Sequence, residues 1–349
     1  MIKITKNTNP KEMPKADDVC FGKHFADHMF IMDYTPADGW HDARIVPYEN
    51  LSISPSSIVF HYGQEMFEGM KAYRTPKGIA LFRPEENIKR FNNSCGRMCM
   101  PPVDVDFVVG AIKDLVKLDE NWVPSYPNTS LYIRPFIIAT DCSIDVRPSN
   151  NFKFLVICSP SCPMYGLNPS KIYVEDEYVR AVKGGLGFTK AGANYVAAMR
   201  AQNVAHEQGF DQVLWLDGIE HKYVEEVGAM NIFFVIGDEI ITPSLSGSIL
   251  AGITRMSTLE LLTKRGYKVS EQRISINKIV EAHKNGELKE VFGTGTAAVV
   301  SPVGVIRYGG KDMVIGDGNI GKITKEVYDT LVGIQFGEIK DEFGWMQTL

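Results

Sequence analysis

A segment in the middle of this chain reads Lys183-Gly184-Gly185-Leu186-Gly187-Phe188-Thr189-Lys190-Ala191-Gly192-Ala193-Asn194-Tyr195. Glycine has no side chain and tolerates unusual dihedral angles, so this segment lets backbone and a flat ligand approach Lys190 closely. A lysine that loses hydration in such a crowded place tends toward the neutral, nucleophilic amine. The segment therefore favours Schiff-base chemistry with a carbonyl cofactor. A glycine-rich loop with a solvated lysine is the commoner case, so other motifs must decide between the two.

The length and charge of the chain narrow the class of protein. At 349 residues it is predicted to contain two domains, since single cores rarely grow beyond about 250–300 residues. A formal net charge of −5 argues against a nucleic-acid partner or an anionic membrane surface. No apolar run approaches the ~18 residues of a membrane-spanning helix, and the first residues lack the apolar core of a signal peptide. We therefore expect a cytoplasmic protein.

The spacing of cysteine and histidine gives no sign of a metal site. Cys95 and Cys99 are four residues apart, as are Cys158 and Cys162, but no matching set of histidines lies nearby. Structural zinc sites need two closely spaced pairs of ligands. No metal requirement is predicted.

The first half of the chain is predicted to combine helices and strands. A stripe of apolar residues predicts a helix over 104–118, and Arg83-Pro84-Glu85-Glu86 is typical of a helix start. A further helix is expected over 60–71. Strands are expected over 130–140 and 152–158, which makes this half α+β.

A stretch with three prolines and a glycine, 159–170, is typical of a domain boundary. We predict a small α+β domain over 1–158, an interdomain loop over 159–172 that is a candidate lid, and a cofactor-binding domain over 173–349. In the last of these, helices are expected over 195–208 and 252–264.

Three features of the second half could complete a site for a phosphate-bearing cofactor. Small residues over 246–255 open a helix whose first amides suit a phosphate. Gly293-Thr294-Gly295-Thr296-Ala297-Ala298 matches a dinucleotide-binding pattern, but β-branched residues and Pro302 follow instead of a helix. Its amides and hydroxyl groups suit an anion instead. Glu226, beside an apolar strand, could hold a pyridine nitrogen protonated.

Eight motifs, in a consistent order over residues 20–345, carry a family resemblance. In the second half they read Phe-Thr-Lys-Ala-Gly-Ala-Asn-Tyr (188–195), Val-Leu-Trp-Leu-Asp-Gly (213–218), Glu-Glu-Val-Gly-Ala-Met-Asn (225–231), Leu-Ala-Gly-Ile-Thr-Arg (250–255) and Glu-Val-Phe-Gly-Thr-Gly-Thr-Ala (290–297). In the first half they read Phe-Gly-x-x-Phe-x-Asp-His-Met (21–29), Phe-Glu-Gly-Met-Lys-Ala-Tyr-Arg (67–74) and Leu-Tyr-Ile-Arg-Pro (131–135). Together these motifs resemble the branched-chain amino-acid aminotransferases, which are fold-type IV pyridoxal-phosphate enzymes.

The resemblance implies a two-domain α+β/α/β fold, with a small N-terminal domain and a larger C-terminal domain that has a pseudo-barrel β core. It also implies a reaction in which L-leucine, L-isoleucine or L-valine gives its amino group to 2-oxoglutarate, in ping-pong half-reactions with pyridoxal 5′-phosphate. Lys190 would be the Schiff-base lysine and proton shuttle. The other implied cofactor contacts are Arg90, Tyr195, Glu226, Ile253, Thr254 and Thr296. The implied substrate contacts are Phe25, Tyr62, Tyr132, Arg134, Tyr165, Thr296 and Ala297.

The resemblance leaves some points open. Ala229 stands where the mammalian enzymes have threonine, and Ala298-Val299-Val300-Ser301 replaces their Cys-x-x-Cys, so the associated thiol switch should be absent. A D-amino-acid transaminase or an aminodeoxychorismate lyase of the same fold type is an alternative. A non-enzymatic cofactor-binding regulator is another, although the chain is acidic. The resemblance implies a homodimer in which Tyr62 reaches across to the neighbouring subunit.

Overall fold

The computed structural model describes residues 2–163 and 166–349. The described residues form two compact units. Unit 1 contains residues 2–163, Thr189–Gly192 and Gly333–Leu349, and unit 2 contains residues 166–188 and Ala193–Val332. No helix in the described part of the chain is both long and apolar enough to span a membrane.

Unit 1 is built on one mixed sheet. Its strands are β1 (Lys3–Ile4), β2 (His28–Thr35), β3 (Gly39–Pro47), β4 (Glu65–Phe67), β5 (Met70–Thr75), β6 (Gly78–Phe82), β7 (Ser130–Ala139), β8 (Phe152–Ser161) and β18 (Met346–Thr348). The order is β1-β3-β2-β8-β7-β5-β6-β18, and β4 also pairs with β7. The long antiparallel pair of β7 and β8 runs from Ser130 opposite Ser161 to Ala139 opposite Phe152. Tyr132 and Arg134, two residues apart on β7, therefore project from the same face.

The helices of unit 1 are α1 (Ile58–Tyr62), α2 (Pro84–Arg97) and α3 (Val105–Leu118). Two of them confirm the sequence prediction. Asp104 caps α3 by accepting a hydrogen bond from the Phe107 amide at 2.7 Å, and α2 begins at Pro84 with acidic residues in its first turn. Buried side chains of both helices belong to the hydrophobic core of the sheet, where the rings of Phe91 and Phe154 meet edge to face.

The helix predicted over 60–71 is wrong. Helix α1 ends at Tyr62 because Gly63 adopts a left-handed conformation with φ of 59°. The chain then forms β4 and β5, both paired with β7. Apolar residues of this segment are spaced as in a helix, but pairing with a distant strand decides its conformation.

Unit 2 is built on a second sheet of mixed strand direction. Its strands are β9 (Ser170–Glu175), β10 (Gln212–Leu216), β11 (Val224–Val227), β12 (Asn231–Ile236), β13 (Glu239–Thr242), β14 (Lys268–Glu271), β15 (Leu288–Gly295), β16 (Val299–Tyr308) and β17 (Lys311–Val314). The order is β11-β10-β9-β16-β15-β12-β13-β14, with β17 on β16. A short turn joins β15 to β16. A strand therefore follows the glycine motif, which confirms that it is not a dinucleotide-binding turn.

The remaining helices are α4 (Gly192–Glu207), α5 (Ile253–Lys264), α6 (Ile276–Lys284) and α7 (Lys322–Gln335). Helices α4 and α5 confirm the predictions over 195–208 and 252–264.

The chain returns twice to unit 1 from unit 2. Ala191 forms an antiparallel bridge with Met66, and β18 pairs with β6 through Met346 opposite Phe82. The predicted domain limits, 1–158 and 173–349, take no account of these returns. The predicted interdomain loop over 159–172 overlaps the ends of β8 and β9.

Candidate active site

The backbone around Lys190 is held on unit 1. The Phe67 amide donates to the Lys190 carbonyl at 3.1 Å, and the Lys190 amide donates to Ser94 Oγ at 3.2 Å. The Gly192 amide donates to Glu65 Oε1 at 2.8 Å. Adding a side chain at Gly192 would overlap that carboxylate. The glycine of the motif therefore permits the contact that fixes the start of α4 beside the lysine.

Two cationic side chains, Lys190 and Arg134, lie over the ring of Phe67. Lys190 Nζ lies 4.9 Å from the centre of the Phe67 ring, and the Arg134 guanidinium carbon lies 4.3 Å from the same centre. Arg134 Nη2 donates to Tyr132 Oη at 3.2 Å. Arg134 Nε is buried without a hydrogen-bond partner among the described residues. An unpartnered guanidinium N–H beside a half-buried amine suits a ligand that carries a carboxylate.

A buried ion pair lies next to this ring, and the sequence reasoning missed it. The Glu68 side chain is fully buried, and both its oxygens accept hydrogen bonds from Arg90: Nε to Oε1 at 2.7 Å and Nη2 to Oε2 at 2.8 Å. Asn87 Nδ2 donates to Oε2 at 2.9 Å. Burial alone would raise the pKa of Glu68, but Arg90, Lys190 and Asn87 outweigh burial and hold this pKa below its usual value. Glu68 is therefore a fixed negative charge that orients Arg90.

A second buried lysine lies on β5. Lys71 is 5% exposed, and burial lowers its pKa to about 8, against an opposing influence of Cys162. A buried amine of this kind is a second candidate for Schiff-base formation. It must be distinguished from Lys190 by experiment.

Gly69 makes room for the side chain of Tyr132 on β7. A Cβ at this position would overlap Tyr132 Oη. We expect Gly69→Ala to displace Tyr132 and its partner Arg134, to raise KM for a ligand that Arg134 binds and to destabilise the fold by about 1–3 kcal/mol. Steady-state kinetics and thermal unfolding measure these effects.

Gly96→Ala is the matched control for that substitution. Gly96 is an exposed position of α2, and nothing lies within 4 Å of the added Cβ. The control should stabilise the protein by about 0.5–1 kcal/mol and leave KM unchanged. Equal effects of the two substitutions would contradict the steric argument.

The predicted acid of unit 2, Glu226, is 4% exposed on β11. Its Oε1 accepts from the Leu250 amide at 2.8 Å and from Asn231 Nδ2 at 3.5 Å. Its Oε2 lies 3.1 Å from Arg180 Nε. The carboxylate is therefore held by contacts from three separate segments, and a held acceptor can direct a ligand N–H.

The predicted phosphate-binding groups are also in unit 2. Helix α5 begins at Ile253 after Gly252, which offers no side-chain cap to the first amides. Ile253 and Thr254 are buried. A side chain at Gly252 would overlap Asn231, the residue that contacts Glu226. Thr296 and Ala297 are half-buried in the turn between β15 and β16.

The other predicted residues are placed as follows. Tyr195 is half-buried in the first turn of α4. Phe25 is half-buried and stacks on Tyr48 with ring centres 5.2 Å apart. Tyr62 is 43% exposed at the end of α1, and its hydroxyl donates to the Ile144 carbonyl. Tyr165 lies outside the described residues. No cluster of three or more metal-ligating side chains occurs among the residues that are described.

The family model described as amino-transferase class IV matches residues 65–306. The chain belongs to this family. Among its class IV relatives, branched-chain-amino-acid transaminase 1 of Bacillus subtilis (strain 168) is 54% identical over 349 residues, which cover 99% of this chain and 98% of that protein.

Solved structures of class IV aminotransferases have the same fold. The branched-chain amino acid aminotransferase of Escherichia coli matches with a TM-score of 0.76, at 26% identity over 92% of this chain and 99% of that chain. The T.th. branched-chain amino acid aminotransferase complexed with N-(5′-phosphopyridoxyl)-L-glutamate matches with a TM-score of 0.75, at 29% identity over 91% of this chain and 98% of that chain.

These class IV relatives confirm three sequence predictions: the family, the fold type and the class of enzyme, a transferase of amino groups. Fold-type IV aminotransferases use pyridoxal phosphate, so the family implies that cofactor.

Proposed function

We propose that this chain is a branched-chain-amino-acid aminotransferase. It transfers the amino group of L-leucine, L-isoleucine or L-valine to 2-oxoglutarate, giving the branched-chain 2-oxo acids and L-glutamate. The observation that carries the proposal is the Phe67 ring, which has the Lys190 amine at 4.9 Å and the Arg134 guanidinium at 4.3 Å from its centre. The first is a nucleophile and the second binds carboxylates, and transamination with a dicarboxylate needs both.

The donor set of the chain fits pyridoxal 5′-phosphate. Lys190 supplies an amine for the aldehyde, and Glu226 a carboxylate for the ring nitrogen. Tyr195 supplies a phenol for the phenolic oxygen. The start of α5 and Thr296 supply amides and hydroxyls for the phosphate, to which Arg90 adds a cation. When bound, the cofactor supplies a ring that accepts electrons as the substrate Cα–H bond breaks.

These residues would act in the reaction as follows. Lys190 Nζ would carry the proton from the substrate Cα to the cofactor C4′ in the first half-reaction, and from C4′ to the Cα of the second substrate in the other. Glu226 would keep the ring nitrogen protonated by accepting its N–H, and the Leu250 amide and Arg180 hold the carboxylate in place. The Thr296 and Ala297 amides bind the α-carboxylate. Tyr132 and Phe25 are proposed to line the side-chain pocket.

Arg134 is proposed to bind the distal carboxylate of glutamate and 2-oxoglutarate. Support comes from its buried, unpartnered Nε. Arg134→Gln should raise KM for 2-oxoglutarate about 10- to 100-fold, as expected for a lost hydrogen bond to a charged group. KM for L-leucine, which has no distal carboxylate, should change by less than about threefold. Equal losses for both substrates would contradict this role.

Borohydride reduction of the cofactor-loaded protein, followed by peptide mapping, tests the proposed function. The pyridoxyl label should be found on Lys190 and not on Lys71, a buried amine whose pKa burial lowers to about 8. A panel of amino donors separates the alternatives, since L-leucine should be used and D-alanine should not. A label on Lys71, or on no lysine, would overturn the assignment.

We further propose a homodimer. Unit 1 exposes four large apolar side chains on two segments joined by the bridge between Ser57 and Cys142: Phe60, Tyr62, Ile144 and Val146. An exposed apolar patch of this kind is typical of an interaction surface. Sedimentation at micromolar concentration should give a dimer, and a fully active monomer would contradict the proposal.

A further inference from the structure

Arg180 is a buried arginine that no step of the proposed reaction uses. It is 9% exposed. Its Nη2 donates to the carbonyls of Gly187, at 3.3 Å, and Ser248, and its Nε lies 3.1 Å from Glu226 Oε2. Nε does not form a hydrogen bond of good geometry with any described residue, so the contact with Glu226 is mainly an attraction between charges. Burying an arginine costs folding free energy unless an opposite charge lies close to it.

Arg180 and the Leu250 amide contact different oxygens of the Glu226 carboxylate. Leu250 holds Oε1 at 2.8 Å, and Arg180 faces Oε2. With only one of these contacts the carboxylate could rotate about its own axis and change the direction of its lone pairs. The second contact therefore fixes the orientation of the acid that is proposed to meet the ring nitrogen.

A second buried carboxylate lies within the electrostatic influence of the same arginine. Glu225 precedes Glu226 on β11, the terminal strand in the order of the unit 2 sheet, and is 5% exposed. Ser248 Oγ donates to its Oε1, whereas its Oε2 is buried without a partner among the described residues. Burial raises the pKa of Glu225 to about 7; the neighbouring Glu226 and Asp217 act in the same direction, and Ser248 and Arg180 oppose them.

Water can reach the surroundings of Glu225. A cavity of about 410 Å³ in unit 2 is lined by Glu225 together with Ser246 and Ser248. The charged or titratable groups that also line it are Lys183, Asp217, Glu220, Tyr223 and Arg273. Among them, Asp217 already accepts four backbone amides, and Arg273 is paired with Glu220 at 2.9 Å.

We propose that Arg180 is a positioning residue for Glu226, and that ionisation of Glu225 weakens its hold by drawing the guanidinium toward a second carboxylate. The inference rests on the proposed function. With Glu225 neutral, Arg180 and Glu226 form a balanced pair. With Glu225 ionised, the Arg180 guanidinium faces the charges of two carboxylates, and the three side chains together carry a net negative charge. Above neutral pH the acid that faces the cofactor ring is therefore less firmly oriented.

The test is the affinity of the cofactor-free protein for pyridoxal 5′-phosphate, together with the pH dependence of the visible band of the complex. Arg180→Met should weaken binding about tenfold or more and shift the pH at which the band changes. Arg180→Lys, which keeps the charge, should recover part of both. Glu225→Gln should bind more tightly than wild type at pH 8 but not at pH 6, a difference of about threefold or more.

Arg273→Met is the matched control, because this arginine lines the same cavity but lies 52% exposed in its pair with Glu220. It should leave affinity and band unchanged. If Arg180→Met does not fold, the test uses Arg180→Lys and Glu225→Gln instead. The inference is overturned if both variants have the cofactor affinity and the pH dependence of the visible band that wild type has. The inference is also overturned if Arg180→Met has the same cofactor affinity and the same pH dependence of the visible band as wild type. That result would leave the proposed function intact, because turnover by the wild-type protein tests the function separately. A wild-type protein that forms no coloured complex overturns both.

Discussion

Lys190→Ala is expected to abolish transamination of L-leucine with 2-oxoglutarate. The substitution removes the amine that joins the cofactor and the group that moves the Cα proton. The backbone bond to β4 holds this residue near Phe67, whose ring centre lies 4.9 Å from the amine and 4.3 Å from the Arg134 guanidinium. Loss of a general acid–base group and of a covalent nucleophile together should lower kcat by at least about 10⁴-fold. The visible band of the loaded protein should disappear as well.

Lys183→Ala is the control for that experiment, because Lys183 belongs to the same glycine-rich segment but is exposed. Its kcat should stay within about twofold of wild type, as for most surface substitutions. The fold should also survive in Lys190→Ala, since the backbone contacts of residue 190 remain. Turnover within about tenfold of wild type in Lys190→Ala would contradict the assignment of the nucleophile.

Glu68→Ala is expected to cause the largest loss of stability. The substitution leaves the Arg90 guanidinium buried, with 8% of its side chain exposed, and removes its bidentate partner. Breaking a buried pair in this way costs about 3–5 kcal/mol, because the remaining charge loses its counterion. For a protein of this size the midpoint of thermal unfolding should fall by roughly 10 °C. Glu68→Gln should lose less, since its amide oxygen still accepts one hydrogen bond.

Glu86→Ala removes an ion pair of similar length from the surface of the same helix. Glu86 and Lys89 approach to 2.7 Å, but their side chains are 33% and 58% exposed. Solvent screens such a pair, so the midpoint should change by less than about 1 °C. If Glu86→Ala and Glu68→Ala had the same effect, the importance of burial at Glu68 would be refuted.

Features of the fold that depend on residues close together in the sequence could be predicted. The apolar stripe of α3 and the proline of α2 are properties of single helices, so sequence alone reveals them. The segment that contains Lys190 gains its meaning only from the seven other motifs in consistent order, because a glycine-rich segment with a lysine is common on its own. The segment 60–71 was predicted wrongly, because its conformation depends on pairing with β7, which is distant in the sequence.

The buried ion pairs of the site could not be predicted from the sequence. Glu68 meets Arg90 across 22 residues, and Arg180 meets Glu226 from a separate segment of the chain. An acid beside a glycine has the sequence signature of a solvated turn, and nothing local identifies its partner. A useful signal would have been that Glu68 and Arg90 both lie next to apolar helix and strand positions. The homodimer and the role of Tyr165 stay predictions.

The pairing of β18 with β6 has a consequence for synthesis of the chain on the ribosome. Domains generally fold as units while the chain emerges from its N-terminus. Here the last strand of unit 1 is Met346–Thr348, whereas unit 2 ends at Val332. Unit 2 is therefore complete before β18 has been synthesised, whereas the sheet of unit 1 has an open edge at β6 until Met346–Thr348 is available to pair with it. Nascent chains stalled before residue 346 should be the form most exposed to chaperones and proteases.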